Sequence, residues 1–154
     1  MSFTGRVLRG ALPLIKLRTR MRGVTLGVRA AVFDRGGRVL LVRHSYLQGW
    51  HFPGGGVEFG ETALQALARE LQEEAAIVLD APPRLRGLFR NPEWTAGDHL
   101  AFYETERWTQ GAWTPGLEIE AADFFAPDAL PGDAHPSVRR RLSERGGGER
   151  TDFW

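Results

Sequence analysis

Glu70, Glu73 and Glu74 stand at i, i+3 and i+4. On an α-helix that spacing gathers three carboxylates on about one third of the circumference. Carboxylates so close repel one another and raise one another's pKa unless a cation intervenes. Arg69, four residues before Glu73, neutralises part of the charge. One arginine does not balance three acids. A hard divalent cation does: Mg²⁺ or Mn²⁺ takes oxygen ligands in near-octahedral geometry. A solvated acidic helix face is the other account of the same triplet.

The elements around the triplet must decide between these. A helix is predicted from about Ala63 to Ala75, with Thr62 as N-cap and Gln65 completing a capping box. Leu64, Leu67, Ala68, Leu71 and Ala75 recur at helical spacing and form its expected core face, with the acids at an edge beside it. Immediately before the helix runs the glycine loop Gly54-Gly55-Gly56-Val57-Glu58-Phe59-Gly60-Glu61. Glycines let backbone carbonyls approach a metal or backbone amides approach a phosphate. No Gly-Lys-Ser/Thr follows, so this is not a Walker loop.

Val24 to Phe33 and Val39 to Arg43 read as buried strands, joined as a hairpin through Asp34-Arg35-Gly36-Gly37. An irregular aromatic stretch, Tyr46 to Pro53, leads to the glycines. After the helix, Arg84 to Phe89, His99 to Trp108 and Leu117 to Phe125 read as strands, and Ser137 to Arg145 as a short basic helix ending at three glycines. The last six residues are expected to fray. Strands interleaved with helices indicate an α/β or α+β domain built on a mixed sheet.

The chain has 154 residues, 42% hydrophobic and 25% charged, the profile of one globular domain. It has no cysteine, which excludes disulfides, thiolate nucleophiles and iron–sulfur clusters. Net charge is +1, but residues 1–33 hold seven Lys/Arg and no acid before Asp34. An acidic body thus carries a basic N-terminal arm over residues 1–22. That arm is read as a helix packed on the domain, a surface-binding or dimer-forming arm, or a targeting segment. No apolar run approaches the ~18 residues of a membrane span, so a cytoplasmic protein is expected.

Gly55, five residues, Glu61, seven residues, and then Arg69-Glu70-Leu71-Gln72-Glu73-Glu74-Ala75-Ala76-Ile77 resemble the Nudix box, G-x5-E-x7-R-E-U-x-E-E-x-G-U, where U is a bulky aliphatic. The departure is Ala76, where the family has glycine just past the helix. The box runs from Gly55 to Ile77, and the resemblance extends over roughly Gly23 to Leu142. It implies a Nudix domain over residues 23–145, with a curved mixed sheet between helices and a flexible tail over 146–154.

The resemblance further implies a Mg²⁺- or Mn²⁺-dependent hydrolase of a diphosphate joined to another moiety, with a small nucleotide derivative as substrate. Glu70, Glu73, Glu74 and the Gly54 carbonyl would ligate metal. Glu70 would also be the candidate base, and Arg69 would orient the glutamates. Glu61 would support the loop or reach metal through water. A late glutamate often joins the ligands; Glu118 is preferred to Glu120, although strand alternation puts both on one face. Gly55, Gly56, His51 and Phe52 are the remaining substrate-binding candidates. Trp50, Phe89 and Trp94 are aromatics that could stack on a base. Pro92, 15 residues past the box, is a weak pointer to ADP-ribose derivatives.

The physical demand agrees with the resemblance. A pyrophosphate repels hydroxide, divalent metals neutralise its oxygens and acidify a bound water, and a nearby carboxylate takes the proton. An RNA 5′-end pyrophosphohydrolase, which the basic arm would suit, and a non-catalytic nucleotide-binding regulator are the alternatives. Nucleic acid is a less favoured partner than a small nucleotide, and a homodimer is compatible with the chain. The Arg139-Arg140-Arg141 run is read as a solvated face.

Overall fold

The computed structural model describes residues 23–154, so the expectations for the basic arm fall outside the described residues. The elements are β1 (Thr25–Val32), β2 (Val39–His44), β3 (Trp50–His51), α1 (Ala63–Ala75), β4 (Ile77–Leu79), β5 (Arg84–Arg90), β6 (Asp98–Thr105), β7 (Trp108–Gln110), β8 (Ile119–Phe125) and α2 (Pro136–Arg145). They form three sheets: β1-β6-β5, β3-β2-β8 and β4-β7. The first is mixed, with β1 parallel to β6 and β5 antiparallel to it. This is an α+β arrangement.

Strand alternation explains how β1 holds the layers together. Val28, Ala30 and Val32 pack with Leu67, Leu71 and Ala75 of α1. Ala31 and Phe33 turn to the opposite face and join Phe52, Phe89, Phe102 and Val138 of α2. A strand buried on both faces reads as a near-continuous apolar run, which is how Val24 to Phe33 reads.

The expected hairpin is only half made. The Asp34 N–H donates to the Arg38 carbonyl at 2.9 Å, and Phe33 bridges Val39. Beyond that the strands part, β1 to pair with β6 and β2 with β3 and β8. The turn residues fix the reversal, but each strand is apolar on both faces and takes a neighbour in its own sheet.

α1 has the expected bounds, and its capping box forms between Thr62 and Gln65. Its buried arc differs from the leucine face expected. Ala66, Leu67, Leu71, Glu74 and Ala75 are buried, whereas Leu64 is 46% exposed and Ala68 is exposed. At 100° per residue this arc is centred close to Glu74. An acid therefore occupies the middle of the packed face. Ala76 ends the helix in the left-handed region at φ 52°, its N–H donating to the Gln72 carbonyl at 3.0 Å. The conformation that suits glycine is kept although the residue is alanine.

The chain end, expected to be flexible, is docked. Phe153 bridges Arg90 in parallel, and the Trp154 N–H donates to the Arg90 carbonyl at 2.8 Å. The Trp154 ring lies 5.3 Å from Phe102 and 6.0 Å from Phe89. Arg141, expected on a solvated face, is 3% exposed and donates to the Phe153 carbonyl at 2.9 Å. Backbone pairing at Phe153 occupies an otherwise open edge of β5 and the half-buried Trp154 ring packs on the aromatic core, while the Phe153 side chain stays 48% exposed. Among the described residues no helix is long and apolar enough to cross a membrane.

Candidate active site

Helix α1, the glycine loop and the start of β8 meet at a cleft of about 710 Å³. The loop is tied to β1, where the Val28 N–H donates to the Gly55 carbonyl at 2.8 Å and the Ala30 N–H to the Pro53 carbonyl at 3.1 Å. Gly54 adopts φ 137°, and a Cβ there would strike the Val28 carbonyl. A Cβ at Gly55 would collide with the Glu70 carboxylate. Glycine is therefore what lets the loop lie flat against both the strand and the acid.

Arg69 joins loop to helix. Its Nε donates to Glu61 Oε1 at 2.8 Å and its Nη2 to Glu61 Oε2 at 3.0 Å, a two-point clamp. Nη2 also donates to the Gly56 carbonyl at 3.1 Å, and Nη1 to Glu70 Oε1 at 2.6 Å. The Arg69 hydrogen bonds hold the Glu61 carboxyl down at about 2. Glu61 Oε2 also accepts the Glu58 N–H at 3.0 Å, so the carboxylate ties the loop to Arg69.

The three helix acids have three environments. Glu74 is 7% exposed, and its Oε2 accepts the Gly54 N–H at 2.8 Å. Burial pushes its pKa up to about 8, with the Arg29 charge and the Gly54 hydrogen bond opposing. His44 Nε2 lies 3.6 Å from Glu74 Oε1. Burial first, then the charges of Arg29 and His51, lowers the His44 pKa to about 3, so the imidazole is neutral and the contact is not an ion pair. Glu70 is half-buried; burial raises its pKa and Arg69 pulls it back. Glu73 is exposed and reaches Arg69 at 3.5 Å.

Glu118 lines the same cleft as Glu70 and Glu74. The pairing of β2 with β8 matches Arg43 to Ala121 but His44 to Ile119, so Glu120 is the extra residue of a β-bulge. The bulge breaks the alternation that would have put Glu118 and Glu120 on one face. Glu120 is exposed and outside the cleft.

Two sequence candidates lie elsewhere. Phe52 is 1% exposed, 5.0 Å from Phe102, and belongs to the core rather than to a substrate surface. His51 is not in the cleft wall: its ring stacks on His135 at 4.7 Å and its Nε2 meets the Gln48 carbonyl at 2.8 Å. The two neighbours part company: Phe52 points into the aromatic core and His51 points towards His135. Phe89 is likewise core, and Trp50 packs on Phe125 at 4.8 Å, while Trp94 does line the cleft.

The sequence reading passed over Arg29, Tyr46, Asn91 and Asp98, all in the cleft wall. Arg29 had a signal, being the one charged residue between Val24 and Phe33. Burial pushes the Tyr46 phenol up to about 12, with the Glu74 and Glu118 charges adding.

The donor chemistry of this cleft fits a hard divalent cation: Glu70, Glu74 and Glu118 offer carboxylate oxygens within one wall. As they stand, no three such side chains among the described residues converge closely enough to hold one. Arg69 engages Glu70 and the Gly54 N–H engages Glu74.

Residues 23–145, which contain the whole cleft, match the family model described as NUDIX domain. The chain belongs to the Nudix family. As a Nudix hydrolase it acts on phosphoric anhydride bonds. It is 28% identical over 121 residues to a putative 8-oxo-dGTP diphosphatase of Bacillus subtilis (strain 168), covering 78% of each chain. It is 38% identical over 88 residues to the 8-oxo-dGTP diphosphatase of Escherichia coli (strain K12), covering 55% of this chain and 64% of that one. Among solved structures, the MutT NUDIX hydrolase from Burkholderia pseudomallei superposes with a TM-score of 0.68 at 25% identity, over 79% of this chain and 98% of that chain.

Proposed function

We propose that the protein is a Mg²⁺- or Mn²⁺-dependent pyrophosphohydrolase of nucleoside diphosphate derivatives, a class that here includes nucleoside triphosphates. The observation that carries this reading is that Glu70, Glu74 and Glu118 line one cleft together with Gly54 and Arg29. The names of the Bacillus and Escherichia relatives, both nucleotide diphosphatases, support the substrate class.

In this reading Glu70, Glu73, Glu74, Glu118 and the Gly54 carbonyl are the metal ligands. When bound, the cation neutralises phosphate oxygens and acidifies a water. Glu70 is the base, accepting a proton on the carboxylate that Arg69 orients. Arg29 faces the same space with a permanent charge and pairs with a phosphate oxygen. Gly55 and Gly56 leave room for the phosphates to approach the loop. The test is phosphate or pyrophosphate release from a panel of nucleoside triphosphates and diphosphate-linked nucleosides, with and without Mg²⁺. Metal-dependent release from at least one of them, lost in Glu70→Gln, is expected; no release from any overturns the reading.

A further inference from the structure

Catalysis at an anhydride accounts for Glu70, Glu74 and Glu118 in the cleft wall but not for Asn91 and Asp98, which line it too. Asp98 is 5% exposed, and its two carboxylate oxygens are both engaged. Thr25 Oγ1 donates to Oδ1 at 2.6 Å, and Asn91 Nδ2 donates to Oδ2 at 2.8 Å. Asn91 ends the β5 side of the connection to β6, and its N–H donates to the Asp98 carbonyl at 2.8 Å, so backbone and side chain are both fixed.

Chemistry decides which way the amide faces. A carboxylate only accepts, so the NH₂ of Asn91 must face Asp98 and its Oδ1 must face away. Among the described residues Oδ1 accepts no hydrogen bond from the protein. One N–H and one carbonyl oxygen of a rigid amide are thus presented side by side in the cleft wall. Leu26, Leu100 and Trp94 line the same cleft. An apolar wall beside one fixed donor–acceptor pair is the composition of a site for a flat heterocycle. A cleft of about 710 Å³ also exceeds what a diphosphate alone would fill.

We propose that Asn91, held by the Asp98–Thr25 pair, reads the edge of the substrate's nucleobase, and that the base lies between this amide and the apolar wall. This rests on the reading of the cleft as a nucleotide site and adds to it the residue that recognises the base. All four common bases carry a donor beside an acceptor on the Watson–Crick edge; purine riboside, which has no exocyclic amine, does not.

The experiment compares kcat/KM in Mg²⁺ for the four common nucleoside triphosphates and purine riboside triphosphate, in wild type, Asn91→Leu and Asp98→Asn. Asn91→Leu should lower kcat/KM for the best common substrate by tenfold or more, chiefly through KM, and change that for purine riboside triphosphate less than twofold. Asp98→Asn, which can donate as well as accept, frees the amide to turn and should narrow the gap between those two substrates without unfolding the chain. Equal losses on all substrates, or none on any, overturn the base-reading role while leaving the hydrolase reading intact. Absence of hydrolysis from every substrate counts against the hydrolase reading itself. In that case the subsite is judged by NMR titration of the metal-free full chain with the uncharged nucleosides. Shifts at Asn91 and Leu100 that vanish in Asn91→Leu uphold it, and unshifted signals overturn it.

Discussion

The Glu74 carboxylate, in the middle of the buried face of α1, accepts the N–H of Gly54 at 2.8 Å, twenty residues earlier in the chain. This bond fastens the helix acid to the glycine loop, beside the Arg69 bonds that tie the same loop to the helix. Its cost is a buried carboxyl whose ionisation is disfavoured.

That cost predicts how the helix acids respond to substitution. Glu70→Gln and Glu73→Gln should keep or slightly raise metal-free stability by removing a crowded negative charge, and Glu74→Gln by replacing a buried carboxyl whose ionisation is disfavoured with a neutral amide that can still accept the Gly54 N–H. Each should also lower apparent Mg²⁺ affinity. Turnover should fall most at Glu70, by roughly 10²–10⁴-fold if it is the base. A Mg²⁺-dependent thermal shift measured beside phosphate release separates this from a solvated acidic face, which tolerates glutamine within about 0.5 kcal/mol and shows no metal effect.

The bulge in β8 makes Glu118 and Glu120 unequal. Glu118→Ala should lower turnover by about a hundredfold or more, in the range for losing one charged group from a preorganised site. Glu120→Ala should stay within twofold of wild type. Steady-state kinetics of the two variants side by side is the measurement, and equal wild-type activity would remove this segment from the site.

Ala76 sits at φ 52°, where a Cβ costs about 1 kcal/mol. Ala76→Gly relieves that strain and loses part of the gain to greater unfolded-state freedom, so stability should rise by about 0.5–1 kcal/mol. Urea unfolding at unchanged turnover is the expected record.

His51 is held neutral by burial, which lowers its pKa to about 4; the charge of His135 adds and the Gln48 carbonyl opposes. A histidine depressed in the folded state binds protons more readily when unfolded. Its contribution is therefore complete above the ordinary value near 6.5 and is lost as pH falls from there toward 4. In His51→Gln the decline of stability with acid should be shallower over that window, while kcat near neutral pH stays close to wild type. Thermal melts from pH 7 to 4 read the first effect. A fall in kcat comparable to that of Glu70→Gln would return His51 to the site.

Trp154 closes one core from the chain end. Trp154→Ala should cost about 2 kcal/mol, below the range for a fully buried tryptophan because the ring is only half-buried. Denaturant titration measures the loss. A change within a few tenths would mean that the end of the chain frays after all.

Much of the chemistry was legible in one dimension because it lies within one stretch of chain. The capping box, the helix bounds, the i, i+3, i+4 acids and the glycine loop are neighbours in sequence, and helical periodicity alone brings them together. What periodicity could not supply is rotation and register. Whether Leu64 or Glu74 faces the core depends on what packs over α1, and that is β1 with β8. Whether Glu118 or Glu120 enters the cleft depends on one bulge against β2, which no local pattern of Leu117 to Phe125 announces. Phe52 reads as a substrate-binding candidate until the fold sets it in the aromatic core beside Phe102, and Trp154 reads as loose until the β5 edge offers its N–H the Arg90 carbonyl. Arg29, Tyr46, Asn91 and Asp98 join the site only because β1, the segment after β2 and the β5–β6 connection meet across the sheet. The sequence determined a loop and a helix carrying acids and named the family by their spacing. Only long-range packing decided which acids are buried, which glutamate joins them and what forms the far wall, because those outcomes rest on contacts between residues many tens of positions apart.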